Sequence, residues 1–280
     1  MSRADHADRK SVDALPLFTG NDQIVKIWDR MQRLQVDFSF PVELPTYFMS
    51  TNWRRARKVL DVGSGNGCYL RRLSNEFPEK EYVGVDVVKD LVEVAQRKAS
   101  APNITFKHAS FLEEAGEYDF IIMRLFIQHM NDVPALLNHA ASILSPCGSI
   151  LIIDCDDEAR LYAPELPRFM AFFTAYAQAV AQLGRDRDVH GRLLKALERN
   201  PAWRLEKDQQ LIVSSAIPGN LVLFRDIYAQ FIDLVELTKV IDYDFDELRQ
   251  DWRRWSRLER AYTQIGVRVM ELSRVRAHKQ

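Results

Sequence analysis

The stretch VLDVGSGNG, residues 59–67, decides the fold, because an apolar run there passes directly into a turn with glycine at positions 63, 65 and 67. An apolar run that ends in glycines predicts a buried strand followed by a tight turn. Glycine adopts positive φ at little cost, so such a turn can bring backbone N–H groups close to a ligand where a helix begins. The stretch therefore predicts a ligand site at the end of a strand.

The spacing of the glycines distinguishes between kinds of ligand. A dinucleotide site typically has G-x-G-x-x-G, whereas here Gly67 comes one residue early and Cys68 follows it. The Gly-Lys-Ser/Thr of a phosphate-binding P-loop is missing. Asp61 precedes the first glycine. An acid beside exposed backbone amides suits a ligand that carries both an ammonium and a carboxylate, such as an amino acid.

Short apolar strands alternate with amphipathic helices from residue 57 to residue 160. That alternation predicts an α/β fold with a parallel sheet covered by helices on both faces. We predict strands at Lys58–Val62, Glu81–Asp86, Ile104–His108, Tyr118–Met123 and Ser149–Asp154, and helices at Gly67–Phe77, Lys89–Ala99 and Val133–Leu144.

The rest of the chain is mostly helical in its pattern. Residues 21–38 have apolar residues at helical spacing, and the two prolines of FPVELP are expected to end that helix. We predict a disordered N-terminus over residues 1–15, a helical cap segment over 16–56 and a ligand-binding domain over 57–280. Helical insertions at about 158–200 and 217–260 are expected to complete the cap, with most of their aromatic residues packed in its core.

Composition narrows the classes of function. The chain has 280 residues, and its 38 basic and 39 acidic side chains give a formal charge of -1, which argues against nucleic acid or an anionic membrane as a partner. No apolar run approaches the roughly 20 residues that span a bilayer, and the first ten residues lack the apolar core of a signal peptide. The three cysteines have no metal-ligand spacing. We expect a soluble cytoplasmic protein without a metal site; its oligomeric state is left open.

A second acid extends the site. Asp86 ends the predicted strand EYVGVD, 19 residues after Gly67. An acid at the tip of the second strand can accept hydrogen bonds from both hydroxyls of a ribose. The ligand therefore combines a nucleoside with an amino acid portion, and S-adenosylmethionine has both.

Residues 57–160 resemble the class I S-adenosylmethionine-dependent methyltransferases. VLDVGSGNG and VGVDVV are similar to the first two motifs of that family, YDFIIMRLFIQHMND to its fourth strand segment, and LSPCGSILIID to the lead into its fifth strand. The resemblance implies a Rossmann-like, doubly wound sheet of seven strands with a helical cap. The last strand would run antiparallel between strands 5 and 6, and QIGVRVMELSRV is the candidate for it. S-adenosyl-L-methionine would be the cofactor.

The resemblance also implies which residues hold the methionine portion of the cofactor. Gly63, Ser64 and Gly65 would form the turn against it, and Asp61 would orient the turn and the ammonium. Arg124, just past the fourth strand, matches a position whose backbone carbonyl meets the same ammonium.

At the nucleoside end, Asp86 would hold the ribose and Val87 would form the apolar wall under adenine. Relatives often carry an acid at the adenine edge where this chain has Ser110. Two groups are candidates to replace that acid at the adenine edge: the Ser110 hydroxyl, or Phe111 through its backbone N–H and apolar contact.

Three further residues are candidates on the acceptor side. His129 could act as a general base, although a histidine near a helix start is often structural. Asp156, with Asp154 and Asp157, follows the fifth strand at the edge where α/β sheets bind ligands, where helix capping is the alternative. Tyr47 could close over the cofactor or could pack in the core.

Methyl transfer from a sulfonium depends mainly on alignment, so no catalytic signature is required. We predict transfer to an O, N or C atom of a small, partly apolar molecule of secondary metabolism. The cap aromatics from Phe169 to Phe231 suggest the apolar acceptor. A protein-substrate methyltransferase, or a non-methylating S-adenosylmethionine-binding protein such as a regulatory subunit or cyclase, is the alternative.

Overall fold

The computed structural model describes residues 21–99 and 101–275. The predicted disorder of residues 1–15 and the start of the cap segment, residues 16–20, lie outside the described residues. The strands are β1 Lys58–Val62, β2 Glu81–Asp86, β3 Ile104–His108, β4 Tyr118–Arg124, β5 Leu144–Ala163, β6 Trp203–Ser214 and β7 Tyr262–Arg274. The helices are α1 Asp22–Met49, α2 Thr51–Arg55, α3 Cys68–Glu76, α4 Lys89–Lys98, α5 Val133–Ile143, α6 Pro167–Gln182, α7 Val189–Glu198, α8 Asn220–Thr238 and α9 Phe245–Trp255.

The seven strands form one mixed sheet in the order β3-β2-β1-β4-β5-β7-β6. Strands β1 to β5 are parallel, and β7 runs antiparallel between β5 and β6. This confirms the predicted Rossmann-like sheet with an antiparallel last strand. The order reverses between β1 and β4, and ligands of such sheets bind beyond the carboxyl ends of the strands at that point.

Strand β5 is much longer than predicted. We expected it to end at Asp154, but it continues to Ala163 because it pairs with β7 from Ser149 to Asp156 and again from Leu161 to Ala163, with a register shift between the two stretches. The extension contains three consecutive acids at positions 156–158 and so lacks the apolar run by which buried strands are recognised. The extension carries the chain directly from the sheet into the cap.

The prediction that two prolines end the first helix is wrong. Helix α1 continues to Met49 with Pro41 and Pro45 inside it. Each proline removes one backbone donor, but the second half of the helix buries Phe40 and Tyr47 in the core. Burial of large side chains such as these stabilises by about 1.5–3 kcal/mol each, which is comparable to the cost of a proline in a helix.

The two faces of the sheet are covered by different helices. Alternate residues of each strand point to opposite faces, so Val59 packs with α1, α3 and α4, whereas Leu60 packs with α5 and α7. Helix α7 falls within the predicted insertion 158–200, but the structure places it on the sheet beside α5 and not in the cap.

The cap consists of α6, α8 and α9 together with α1. Its interior is a continuous aromatic cluster in which Phe224 of α8 lies 6.1 Å from Phe38 of α1 and Phe169 of α6 lies 5.0 Å from Trp252 of α9, between ring centroids. Within residues 21–99 and 101–275, no helix combines the length and apolarity that crossing a bilayer requires.

Two glycines that precede helices provide a matched pair for testing the packing around the glycine turn. Gly67 and Gly219 both have positive φ, +69° and +86°. A Cβ on Gly67 would clash with the Phe106 ring, whereas nothing lies within 4 Å of a Cβ on Gly219. We expect Gly219→Ala to cost about 1–2 kcal/mol from backbone strain alone. Gly67→Ala should cost about 1–3 kcal/mol more, since it also overpacks the core.

Urea unfolding of both variants measures this difference. Equal midpoints for the two variants would contradict the packing assigned to Gly67.

Candidate functional site

A partly open cavity of about 290 Å³ lies over the carboxyl ends of β2, β1, β4 and β5, beneath α1, α6 and α8. This is where a ligand is expected for this sheet order. Its charged residues and its histidine come from seven separate segments and are Glu43, Asp61, Asp86, Arg124, His129, Arg160 and Arg187, with Tyr69, Tyr176, Tyr228, Cys68 and Cys155 beside them.

The glycine turn forms one wall of the cavity, and its amides are bonded to the protein. The N–H groups of Gly63 and Ser64 donate to the Val85 carbonyl at 2.9 and 3.0 Å, and that of Gly65 donates to Asp86 Oδ2 at 2.8 Å. Gly63 and Ser64 line the cavity, whereas Gly65 is buried under Gln32 of α1. These hydrogen bonds hold the turn against β2. Because the three N–H groups are already bonded to the protein, the turn contributes its surface to the cavity wall and not free donors.

Asp61 brings a carboxylate without a partner to the cavity. It is 3% exposed, and among residues 21–99 and 101–275 no N–H or O–H group donates to its carboxylate. Burial raises the pKa of Asp61, nearby Arg124 lowers it and Asp86 raises it, to a value of about 7. A buried carboxylate that lacks a donor is costly unless a ligand supplies one, so this group fits the ammonium of an amino acid.

Asp86 holds the turn and still has acceptor capacity. Its Oδ2 accepts from Gly65 N–H and its Oδ1 from Val88 N–H, both at 2.8 Å. Burial raises the pKa of Asp86, although these two backbone bonds lower it. A carboxylate offers about four lone-pair sites, so about two remain for the hydroxyls of a ribose.

The Arg124 side chain joins the sheet to α1. Its Nε donates to Glu43 Oε2 at 2.9 Å and its Nη2 to Ser39 Oγ at 2.7 Å, and its guanidinium lies 4.6 Å from the Tyr69 ring centroid. Burial lowers the pKa of Arg124, but the nearby carboxylate of Glu43 raises it by more than burial lowers it. The pKa therefore lies above its usual value, and the guanidinium stays charged. The sequence argument concerned only the backbone of Arg124 and missed this ion pair.

At the predicted adenine end, the structure separates the two candidates. Val87, Ala109 and Phe111 line the cavity. Ser110 does not: its hydroxyl accepts from Leu112 N–H at 3.2 Å and caps the short turn Phe111–Glu113.

His129 lines the cavity in the turn Ile127–His129, which follows β4. Burial lowers its pKa, and Arg185 and Arg187 lower it further, to about 3. The imidazole is therefore neutral near pH 7 and is a weak proton acceptor.

The other two residues predicted on the acceptor side, Tyr47 and Asp156, do not line the cavity. Tyr47 is fully buried in the core, where its hydroxyl bonds to that of Tyr69 at 2.8 Å and its ring packs on Trp53. Asp156 points to the other face of β5 and accepts from Gln210 Nε2 at 2.8 Å. Its neighbour Asp157 instead binds two arginines of the cavity wall.

Those arginines, Arg160 and Arg187, are the main residues that the sequence reasoning missed. Arg160 lies in the extension of β5, and Arg187 lies between α6 and α7. Of the cap aromatics, Phe173, Tyr176, Tyr228 and Phe231 line the cavity, whereas Phe169, Phe172 and Phe224 are core residues. The residues around Arg160, ARLY at positions 159–162, match no motif, so nothing in the sequence pointed to this arginine.

No group of three or more His, Cys, Asp or Glu side chains within residues 21–99 and 101–275 could hold a metal ion.

Comparison with known proteins connects this geometry to a family. The model of a family described as "Methyltransferase domain" matches residues 39–212. The secondary metabolism regulator laeA of Coprinopsis cinerea is 28% identical over 226 residues, covering 72% of this chain and 54% of that protein. Methyltransferase str2 of Strobilurus tenacellus is 25% identical, over 36% of each chain. The chain thus spans about half the length of the first relative and about a third of the second.

Solved structures share the fold. The plantazolicin methyltransferase BpumL, in complex with a triazolic desmethylPZN analog and SAH, has a TM-score of 0.52 at 15% identity, covering 97% of this chain and 98% of its own. The [4+2]-cyclase SpnF also has a TM-score of 0.52, at 12% identity, covering 79% and 76%. At these identities the likeness concerns the fold alone.

The raised pKa of Asp61 leads to a prediction about pH. Below pH 7 the ligand-free carboxyl is mostly protonated, and an ammonium ligand favours the carboxylate. Binding of S-adenosylhomocysteine at pH 6 should therefore release close to one proton and be about tenfold weaker than at pH 8. Calorimetry in buffers of different ionisation enthalpy measures both quantities. Asp61→Asn should bind weakly without this pH dependence, and equal wild-type affinity at pH 6 and pH 8 would contradict the assignment.

Asp86 can be tested against a neighbouring acid. Asp86→Ala removes the carboxylate predicted to accept the ribose hydroxyls and releases Gly65 and Val88. Affinity for S-adenosylhomocysteine should therefore fall by about a hundredfold, since bonds to charged groups contribute about 1.5–3 kcal/mol. Asp90→Ala, an exposed acid four residues away, is the control and should bind normally. Unchanged affinity in Asp86→Ala would refute the ribose assignment.

Proposed function

This chain belongs to the class I S-adenosylmethionine-dependent methyltransferase family, and we propose that it transfers a methyl group to an O, N or C atom of a small, partly apolar molecule of secondary metabolism. The observation that carries the proposal is the continuity of the cavity: Asp61 and Asp86 line the same space as the aromatic cap residues. A cofactor and a small acceptor can therefore meet inside it.

The residues present fit S-adenosyl-L-methionine, whose sulfonium supplies an electrophilic methyl group when bound. In our assignment, the Asp61 carboxylate receives the ammonium and Asp86 receives the ribose hydroxyls. Gly63 and Ser64 shape the turn against the methionine portion, while Val87 and Phe111 hold adenine. The Ser110 hydroxyl is occupied by Leu112 N–H, which favours Phe111 at the adenine edge.

His129 is the candidate base that we predicted, and its environment limits what it can do. A conjugate acid with a pKa of about 3 makes the imidazole a weak base near pH 7. The geometry therefore favours acceptors whose nucleophile is already deprotonated or acidic. Alignment of donor and acceptor in the cavity then supplies most of the rate.

The position and lining of the cavity also support a small acceptor over a protein substrate. The cavity lies beneath three helices and is lined on the acceptor side by Phe173, Tyr176, Tyr228 and Phe231, which suits a partly apolar molecule. The name of one relative, a regulator of secondary metabolism, supports that metabolic setting, whereas the choice of a small acceptor rests on the cavity alone.

Incubation with S-adenosylmethionine carrying a labelled methyl group tests the proposal. An extract of the source organism is separated by filtration into small molecules and macromolecules, and each fraction is offered to the protein and to Asp61→Asn. We expect label in the small-molecule fraction at least tenfold above that variant. Label confined to proteins would identify a protein-substrate methyltransferase, and cofactor binding without any transfer would identify a non-methylating protein.

A further inference from the structure

The charged residues of the cavity are arranged by sign along the edge of the sheet, with acids at one end and arginines at the other. Asp86 and Asp61 end β2 and β1, Arg124 ends β4 and is paired with Glu43, and Arg160 lies in the extension of β5. Neighbouring strands are about 4.8 Å apart, so the acidic and basic ends are separated by about 14 Å. The acidic end suits the cofactor, and the basic end faces the space left for the acceptor.

Two buried arginines share a single carboxylate at the basic end. Arg160 Nη2 donates to Asp157 Oδ1 at 2.7 Å, and Arg187 donates to the same carboxylate from Nε at 2.6 Å and from Nη2 at 3.0 Å. Both guanidiniums lie over the Phe173 ring, at 3.9 and 4.9 Å from its centroid. The side chains are only 6% and 17% exposed, so neither is a freely solvated surface arginine.

The surroundings leave this end with an excess of positive charge. Arg160, Arg187 and Arg185 contribute three cations, and the carboxylates near them are those of Asp157 and Asp154. Burial raises the pKa of Asp157, but hydrogen bonds from Arg187 and the charges of both arginines lower it to about 2, so it is ionised. Burial raises the pKa of Asp154 to about 6. The net charge near pH 7 is therefore about +1 in a largely buried wall, an arrangement that an anion would compensate.

Donor groups remain for that anion. A guanidinium has five N–H groups, and Arg160 uses three of them on Tyr162, Tyr228 and Asp157. Its buried Nε has no partner among the described residues. Arg187 likewise uses three, two on Asp157 and one on Gln128 Oε1 at 2.7 Å. Two planar donors above one aromatic ring match the geometry of a carboxylate.

We propose that Arg160 and Arg187 bind a carboxylate of the methyl acceptor, so that the substrate class is a partly apolar carboxylic acid. The inference rests on the proposed function and deepens it, since it assigns specificity to two residues of the same cavity. The apolar part of the acid lies against Phe173, Tyr176, Tyr228 and Phe231, and the carboxylate completes the charge balance of the wall.

Matched fragments test the inference without requiring the natural acceptor. The probes are aromatic acids from benzoate to 4-phenylbutanoate, each paired with its neutral primary amide, and titrated by calorimetry into protein saturated with S-adenosylhomocysteine. We expect at least one acid to bind tenfold or more tightly than its amide. Arg187→Gln should abolish that preference, leaving amide affinity within twofold, and Arg187→Lys should restore part of it. Arg168→Gln, an exposed arginine that also pairs with carboxylates, is the matched control.

A purely structural role for the arginines would not change the acid-to-amide ratio, so that ratio is the deciding readout. Thermal unfolding verifies that each variant is folded, and Arg160→Gln replaces Arg187→Gln if the latter is not. Equal affinity for acids and amides, absence of binding by every acid, or a preference that survives in the folded Gln variant would overturn the inference. If S-adenosylhomocysteine itself fails to bind, the proposed function fails instead.

Discussion

The cavity is assembled around the ion pair between Arg124 at the end of β4 and Glu43 in α1. Both groups are buried, and the guanidinium is held in place by Ser39 and by the ring of Tyr69. Loss of one partner of such a pair typically costs about 3–5 kcal/mol, because the other charge is left buried. The pair therefore fixes α1 over the strand ends, where Gln32 of the same helix accepts the Asn66 N–H and covers Gly65.

The same ion pair also sets the electrostatics of the cofactor side. Arg124 is the nearby cation that lowers the pKa of Asp61 against the effect of burial. Because the carboxylate of Glu43 compensates its charge, Arg124 lowers the pKa of Asp61 without creating an anion-binding site in the middle of the cavity. The excess positive charge lies one strand further on, at β5, where Asp157 serves two arginines. A single cavity thus presents a carboxylate to a cationic ligand and guanidiniums to an anionic one.

The sequence predicted the features that depend on neighbours along the chain. The bounds of β1, β2 and β3 were predicted exactly as observed, because apolar runs and glycines are local signals. Asp61 and Asp86 were found because strand ends of a parallel sheet converge. Features that depend on contacts between distant residues were not predicted. Helix α1 continues past Pro41 and Pro45 because its second half packs against the core, and β5 is extended because it pairs with β7. Side chains alternate along a strand, so Asp156 bonds to Gln210 on one face of β5 while its neighbour Asp157 bonds to the two arginines of the cavity wall on the other. Arg187 reaches the cavity only through the tertiary fold.

The placement of the two ends of the cavity on separate strands has an evolutionary consequence. In the proposed assignment, the cofactor lies against β1, β2 and the turns that follow them, which the sheet also needs in order to fold. The acceptor side is built by the extension of β5, the segment before α7 and the inner faces of α6 and α8. Substitutions there can alter which molecule is accepted without disturbing the nucleoside site, so selectivity can drift among descendants of one gene while the donor chemistry is inherited unchanged.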